Sequence, residues 1–286
     1  MVIYDYNRYI TSIDIDKDEY EQKFVDCDVL TATKLEPNNM AQMQIYNLKL
    51  AKLLQDYTQF SYLFFKDNNN QPLKLYPYQD LILNDKHRFI YFRASNQIGK
   101  SLSLDVKAAR DLVIDHGKSW NMAIVSKSLP QSTFQMRRIK QLLNSSRFDW
   151  KDDVGSTDNM SIIVFDVKGK DKQGNEYVKY SNSLICAPCT EGLLGYDLNT
   201  LLLDEFEFWD VDIKYFFEQI AQPRTYATKG SIMIFSNPNG QDSFGNDLEL
   251  QRLKNKDWKW HVYVFNYLDK PGNTIEEYEQ LKHELT

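Results

Sequence analysis

One stretch of the chain, which runs from Phe89 to His116, constrains the fold more than any other. It opens with six residues that read as a buried strand, Phe89–Ala94, followed by the short loop Ser95–Gly99. A helix is predicted to begin at Lys100, because apolar residues then recur at steps of three and four along the chain. A strand, a tight loop and a helix in direct succession are typical of α/β proteins with a parallel sheet.

The residues of this loop indicate phosphate binding. A loop between the end of a strand and the start of a helix directs several backbone N–H groups to one point, where the helix dipole attracts an anion. Lys100 is expected to reach the β- and γ-phosphates of a nucleotide, and the Ser101 hydroxyl to bind Mg²⁺. By itself, Gly-Lys-Ser also fits an ordinary turn into a helix. The Walker A pattern is met with one departure, Ala94 in place of the first glycine. The predicted nucleotide-binding residues here are Ser95, Asn96, Gln97, Ile98, Gly99, Lys100 and Ser101.

A second motif strengthens this interpretation, an apolar run from Leu198 that ends in Asp204 and Glu205. A strand that is apolar on both faces is typical of the centre of a parallel sheet, and ligands bind at the carboxyl ends of such strands. Asp204 is expected to orient Mg²⁺ through water, and Glu205 to polarise the attacking water. The alternative is an ordinary acidic strand end. We therefore predict a phosphate-cleaving site, with Lys100 and Asp204 on adjacent strands.

Two further segments carry candidate ligand contacts. Tyr76 and Gln79 precede the first core strand, and a tyrosine ring can stack on adenine while a glutamine amide bonds its edge. Ser236 and Asn237 follow the apolar strand predicted at Ser231–Phe235, where polar groups can sense the γ-phosphate. A turn with core tyrosines and a plain turn are the respective alternatives.

The fold class predicted is α/β, a P-loop NTPase with a mainly parallel central sheet flanked by helices on both faces. A β-hairpin is expected to decorate the sheet, and a helical segment to precede it. The predicted domains are 1–70, a mainly helical subdomain packed on the core, 71–270, the ATPase core, and 271–286, the start of a linker. The other predicted elements are helices at Met40–Tyr57, Pro130–Leu143 and after Asp212, and strands at Trp120–Ser126, Ser161–Val167, Tyr177–Tyr180 and Leu184–Ala187.

Composition narrows the class of protein. Among 286 residues no apolar stretch approaches the ~20 that a membrane span needs. Three cysteines indicate a reducing compartment, and Cys186 and Cys189 are expected to pack rather than bind metal, because no second pair exists and the four histidines are scattered. A net charge of −6 argues against a surface that coats nucleic acid, but leaves room for a local DNA-contacting face. The basic residues Arg137, Arg138 and Lys140 could form one, although a solvated helix face is the simpler interpretation.

Taken together, these motifs resemble the ATPase domain of the large terminase subunit, the DNA-packaging motor of tailed phages. The resemblance runs from about Tyr76 to the end. It rests on Tyr76–Gln79, Ser95–Ser101, Gly195–Asp197, Leu201–Glu205, Ser236–Gly240 with Phe244, Trp258–Val264 and the helix that begins at Thr274. It implies ATP and Mg²⁺ as cofactors, and a coupling role for Ser236 and Asn237. It also implies double-stranded DNA, a homo-oligomeric ring on a portal and a small terminase subunit as partners, in the host cytoplasm. A carboxyl-terminal nuclease domain is expected in the full-length protein.

The departures from the family concern its catalytic arginine. Many terminases carry an arginine inside the phosphate loop, where this chain has Asn96, and another before the second motif, where it has Leu194. An arginine stabilises the charge that spreads over the transferred phosphoryl group, and a neighbouring subunit can supply it. Arg224 is our first candidate, followed by Arg93 and Arg138. A helicase-like ATPase and a degenerate nucleotide-binding scaffold stay open as alternatives.

Overall fold

An eight-stranded sheet forms the centre of the chain. The computed structural model describes residues 16–36, 39–147, 150–190, 193, 195–240, 243–255 and 259–285. The strands are β1 (Phe89–Ala94), β2 (Asn121–Ser126), β3 (Val154–Asp158), β4 (Ile162–Lys170), β5 (Glu176–Pro188), β6 (Thr200–Asp204), β7 (Ser231–Ser236) and β8 (Trp260–Phe265). Their order across the sheet is β3-β4-β5-β2-β6-β7-β1-β8.

Helices flank this sheet. They are α1 (Lys17–Ala32), α2 (Met40–Leu53), α3 (Tyr57–Phe64), α4 (Pro77–Asn84), α5 (Lys100–Val113), α6 (Leu129–Asn144), α7 (Ile213–Tyr215), α8 (Phe244–Lys254) and α9 (Ile275–Leu285). None of the described helices is long and apolar enough to cross a membrane.

The central strands are buried on both faces, which explains their continuous apolar sequences. The six strands from β5 to β8 are all parallel, whereas β3 and β4 pair antiparallel. In β6, Leu202 packs into the core shared with α5 and α6, while Leu201 and Leu203 pack into the core on the opposite face. Parallel strands need helical cover on both sides, and the predicted fold class is confirmed.

The hairpin that was predicted to decorate the sheet is instead part of it. The segments Tyr177–Tyr180 and Leu184–Ala187 are one continuous strand, β5, which pairs antiparallel with β4 along one part and parallel with β2 along another. A register shift after Val167 accommodates this long pairing. The hairpin is therefore built into the sheet, and only its tip projects from it.

One predicted helix is corrected, and the helix predicted after Asp212 is confirmed. The helix expected over Met40–Tyr57 ends at Leu53, because the Asp56 carboxylate accepts the backbone N–H groups of Thr58 and Gln59 and starts a new helix. After Asp212, the short helix α7 continues as a wider π-helical turn, Phe216–Ala221. The helix predicted from Thr274 opens with a capping box, since Thr274 and Glu277 exchange side chain-to-backbone hydrogen bonds of 3.0 and 3.2 Å.

The strand order corrects one prediction about the site. Lys100 and Asp204 follow β1 and β6, which are not adjacent, because β7 lies between them. Asp204 is level with Phe235 in β7, which is level with Phe92 in β1. The two motifs are therefore about two strand spacings apart, roughly 10 Å.

The amino-terminal helices pack against this core. Tyr57 and Phe60 of α3 belong to the same buried cluster as Ile90 and Phe92 of β1. The Lys23 ammonium of α1 bonds Asp56 at 2.7 Å and Asp80 at 2.6 Å, which ties α1 to the starts of α3 and α4. The domain boundary near residue 70 stays a prediction. Each of the three cysteines is buried and free, as expected for packing residues.

A buried charge cluster fixes α3 to α5. Asp111, with a side chain only 2% exposed, accepts hydrogen bonds from Tyr57, Lys107 and Arg110 at 2.7 to 2.8 Å. Burial alone disfavours the ionised Asp111 carboxylate, but the two cations outweigh it and hold its pKa below the usual range. The same contacts raise the pKa of Lys107. The cluster is stable only while all its charges are paired.

We expect Asp111→Ala to lower the free energy of unfolding by about 3–5 kcal/mol, because it leaves buried cations without an anion. Urea denaturation measures this. The control is Glu176→Ala, which removes an exposed ion pair to Lys170 at 3.7 Å and should cost about 0–1 kcal/mol. Equal effects for the two variants would contradict a stabilising role for the buried cluster.

Candidate functional site

The phosphate loop adopts the conformation that its sequence predicts. Gln97 and Gly99 have positive φ angles of 63° and 88°, so the loop turns sharply before α5 begins at Lys100. Such a left-handed conformation favours glycine. The site at Gly99 is also closed by a neighbour, since a Cβ there would lie 2.8 Å from Gln79 Nε2. Gly99 is thus required for its backbone angle and for its small size.

Helix α4 supports this loop from beneath. The Tyr78 hydroxyl donates to the Ile98 carbonyl, and Gln79 Nε2 donates to the Gly99 carbonyl at 3.0 Å and to Ser103 Oγ at 3.2 Å. Gln79 is fully buried and its Oε1 accepts the Tyr76 N–H at 2.7 Å. Both polar ends of the Gln79 amide are therefore engaged inside the protein, which makes it a support of the loop.

The adenine contacts stay predictions. Tyr76 is half-buried and stacks on Tyr78 with ring centroids 5.6 Å apart, so part of its ring is accessible. Gln79 could read adenine only after giving up the bonds that it makes to the loop.

Lys100 lies folded onto its own loop. Its ammonium donates to the carbonyls of Ala94 at 2.8 Å and Ser95 at 2.6 Å. Burial lowers the pKa of Lys100 to about 8, although the charges of Asp204 and Glu205 act to raise it. The cation is held by two weak acceptors beside two acids, a position from which it can move to a phosphate.

Asp204 and Glu205 occupy different environments at the end of β6. Burial raises the pKa of Asp204 to about 6 and repulsion by Glu205 adds to this, while Arg138 and Lys100 oppose it. Glu205 is exposed, has a φ of 52°, and accepts a hydrogen bond of 3.3 Å from Gln131 of α6. A left-handed backbone is uncommon for a residue with a side chain. Here the two neighbouring carboxylates lie in different environments, that of Asp204 half-buried and that of Glu205 exposed.

The polar side chains around the phosphate loop fit Mg²⁺ and a nucleotide. Mg²⁺ prefers oxygen ligands, and the half-buried Ser101 hydroxyl has no hydrogen-bond partner among the described residues. Asn237 Nδ2 donates to Asn96 Oδ1 of the loop at 2.6 Å, while Asn237 Oδ1 is buried without a described partner. An unpaired buried oxygen facing a phosphate loop is a place where a ligand or water supplies the missing donor. Ser236 differs, because its buried hydroxyl accepts the Glu207 N–H at 3.1 Å.

The three candidate arginines lie in different places. Arg224 lies at the amino-terminal edge of the sheet, where its carbonyl accepts the Leu198 N–H, and β6 alone separates that edge from the loop by about 17 Å. Arg93 is paired with the buried Glu249 at 2.5 Å. Arg138 pairs with Asp105 of α5, and its charge acts on Asp204. Arg224 therefore cannot serve its own phosphate loop, and Arg138 lies nearest to the acids.

This placement corrects the predicted outward face of α6. Arg137 is exposed, but Arg138 turns inward to Asp105, and Lys140 bonds Asp158 and the Asn159 carbonyl. Leu194 lies outside the described residues.

Glu207 is a site residue that sequence reasoning missed. It is 3% exposed, and its carboxylate accepts the Gly245 N–H at 2.5 Å and the Tyr91 hydroxyl. Its carbonyl accepts the Asn239 side-chain amide at 2.5 Å. Glu207 thus ties the loop carrying Glu205 to β1, to the segment after β7 and to α8. The available signal was an acid between two phenylalanines in an otherwise apolar segment.

The fold is an α/β P-loop type, and comparison with solved structures specifies it further. No family model and no curated protein matches the sequence. The large terminase ATPase domain of Thermus phage P74-26 superposes with a TM-score of 0.59 and 12% identity, over 76% of this chain and 89% of that one. The large terminase of bacteriophage HK97 gives 0.58 and 13%, over 79% of this chain and 46% of that one. The chain has the fold of the phage large terminase ATPase domain.

We expect Glu207→Ala to lower the free energy of unfolding by about 1–3 kcal/mol, because it leaves buried donors of Gly245 and Tyr91 unpaired. Glu207→Gln, which keeps an acceptor oxygen, should cost less. The surface variant Glu218→Ala is the control and should stay within about 0.5 kcal/mol of wild type. Chemical denaturation measures the free energy of unfolding of the four proteins. An unchanged value for Glu207→Ala would show that these contacts do not tie the segments together.

Proposed function

We propose that this chain is an Mg²⁺-dependent ATPase that serves as the motor domain of a large terminase and moves double-stranded DNA into a procapsid. The observation that carries the proposal is that Lys100 and Ser101 follow β1 and that Asp204 and Glu205 follow β6, at the same edge of a terminase-type fold. The four side chains supply a mobile cation, a hydroxyl, a half-buried carboxylate and an exposed carboxylate.

In the proposed mechanism, Lys100 exchanges the carbonyls of Ala94 and Ser95 for the phosphates of ATP. Backbone N–H groups of the loop and the start of α5 hold the same phosphates. Ser101 and Asp204 hold Mg²⁺, which when bound neutralises the charge on the phosphate oxygens. Metal and phosphate therefore pair the charges that burial disfavours at Asp204 and Lys100.

Glu205 is the proposed base. Its carboxylate faces solvent and is held by Gln131, so it can accept a proton from an attacking water. Asn237 bridges to the loop through Asn96, and we assign it and Ser236 the coupling of the phosphate site to the segment after β7. Tyr76 is the proposed adenine-stacking residue.

The proposed partners follow the same assignment. They are double-stranded DNA, further copies of the chain in a ring on a portal, a small terminase subunit, and a nuclease domain of the full-length protein, in the host cytoplasm. The two similar solved structures are named as terminases, which supports a motor of this kind over a helicase.

The test of the proposal is Glu205→Gln. This change removes the base but leaves the Mg²⁺ and phosphate contacts, so nucleotide affinity should persist while turnover falls by about 10²–10⁴-fold. Phosphate release and ATP affinity are measured with and without DNA. Retained turnover would move the base to another carboxylate, and a wild type without any turnover would indicate a nucleotide-binding scaffold. A strand-separation assay on the same samples identifies a helicase.

Nucleotide affinity should fall as the pH rises through about 8. Below that pH the half-buried Lys100 is charged and attracts phosphate; above it the free protein has lost the proton. Because bound phosphate favours the charged form, ATP binding then requires proton uptake, and the Kd should rise by up to ~tenfold per pH unit. Titrations with ATP between about pH 7.5 and 9.5 measure this.

The control is Lys100→Arg, whose guanidinium stays charged over that range. Its ATP affinity should be nearly independent of pH. Lys100→Ala should bind weakly at every pH, and wild-type-like binding by this variant would contradict the role of the lysine.

If Arg224 acts in a neighbouring subunit's site, specific activity should rise more than linearly with protein concentration. Arg224→Ala should remove that rise and leave the slow basal rate and the nucleotide affinity unchanged, since an arginine finger contributes about 10³–10⁵ in rate. Arg138→Ala is the comparison, because Arg138 acts within its own chain and its loss should lower activity at every concentration. A flat wild-type curve, or identical rising curves for wild type and Arg224→Ala, would exclude Arg224.

A further inference from the structure

A second cluster of ligand-type side chains lies at the opposite edge of the sheet from the phosphate loop. Asp85 follows α4, His87 lies in the connection to β1, and His261 is the second residue of β8. One ligand atom from each residue lies within 4.8 Å of the other two. Two of the four histidines in the chain therefore converge on one carboxylate, although they are 174 positions apart in sequence.

The geometry of the cluster centres on Asp85. Its Oδ1 lies 2.6 Å from His87 Nδ1, and its Oδ2 lies 2.5 Å from His261 Nδ1. The Tyr263 hydroxyl is 2.8 Å from the same Oδ2 and 3.4 Å from His261 Nδ1. Nitrogen and oxygen ligands from two segments of the chain, the connection between α4 and β1 and strand β8, thus lie close together.

The surroundings leave this place accessible to a cation. The side chain of Asp85 is 6% exposed, that of His261 24% and that of His87 57%. The adjacent Arg88 guanidinium is turned away and donates to the carbonyls of Gly230 and Thr225. Asp85 and His87 also line a cavity of about 320 Å³, together with Lys86, Arg88, Lys107 and Lys229. Two of these four cations are engaged elsewhere, Lys107 with Asp111 and Arg88 with the two carbonyls. Water in the cavity can complete the coordination of a metal ion at Asp85 and His87.

We propose that Asp85, His87 and His261 form a binding site for a divalent transition metal of the Zn²⁺ type. Two imidazoles and one carboxylate are a ligand set used by zinc sites that keep a position open to solvent. Mg²⁺ and Ca²⁺ prefer oxygen ligands, so the two nitrogens favour zinc. At metal–ligand bonds of about 2.0–2.1 Å, tetrahedral ligands are ~3.3 Å apart. Both N–O distances must therefore widen by several tenths of an ångström, through a turn of the exposed His87 ring and of the Asp85 carboxylate that lies between the two rings.

A metal bound at this site would cross-link two parts of the fold. It joins the connection between α4 and β1 to β8, and α4 carries Tyr78 and Gln79, which hold the phosphate loop. A metal that binds only the folded chain raises its stability in proportion to RT ln(1 + [L]/Kd). Zn²⁺ binding at this site does not depend on the proposed ATP hydrolysis, because the metal ligands lie at the other edge of the sheet.

The test is a calorimetric titration of the full chain with Zn²⁺ after chelator treatment, without nucleotide. Wild type should bind one equivalent at this site, and its thermal midpoint should rise with Zn²⁺. His87→Gln and His261→Ala should each weaken the binding by at least ~tenfold, which is the size of effect seen for groups that merely support metal ligands. His87→Gln changes an exposed side chain and preserves the fold if His261→Ala does not.

Two control variants keep the result specific. His116→Ala removes a histidine that stacks on Trp120 outside the cluster, and Asp204→Asn removes the proposed Mg²⁺ ligand; both should retain the Zn²⁺ equivalent. The proposal is overturned if wild type binds no Zn²⁺. It is also overturned if both cluster variants bind it as wild type does, or if Asp204→Asn alone abolishes binding. Melting curves recorded in chelator establish that each variant is folded.

Discussion

The candidate site depends on one constraint, the tight turn of the phosphate loop between β1 and α5. Gly99 adopts a left-handed backbone and leaves room for Gln79, whose buried amide bonds the Gly99 carbonyl. The Tyr78 hydroxyl also donates to the Ile98 carbonyl, which would be costly to bury without a partner. Together these two side chains hold the loop in its turn. The shape of the loop is thus determined by a helix that precedes it in the chain.

Electrostatics at this edge of the sheet are unfavourable in the absence of ligand. Burial depresses the pKa of Lys100 and raises that of Asp204, so each group is disfavoured in its charged form. Sites with such opposed shifts are common where charged ligands bind. In the proposed function, a nucleotide and Mg²⁺ would pair these charges. Asn237 bonds Asn96 of the loop, and Glu207 joins the segment after β6 to β1 and α8.

Part of this structure could be read directly from the chain. Two features could be predicted from local sequence patterns: the strand Phe89–Ala94 followed by the helix at Lys100, and the apolar run that ends at Asp204. The patterns of buried strands and of helices repeat every few residues, so a short stretch of sequence is enough to show them. These motifs predicted the α/β class and the edge of the sheet at which ligands bind. The break at Asp56 was missed because a single capping carboxylate outweighs a continuous apolar pattern.

The sequence alone determined which residues form the phosphate loop and the acidic strand end, since both depend on neighbours in the chain. Only the tertiary structure decided that β7 separates them, that the charge of Arg138 rather than Arg224 acts on Asp204, and that Glu207 joins three segments. It also decided that His87 and His261 meet at Asp85. The physical reason is that these relations are set by strand order and long-range packing. Strand order and long-range packing bring together residues that are distant in sequence, so no local residue pattern predicts them.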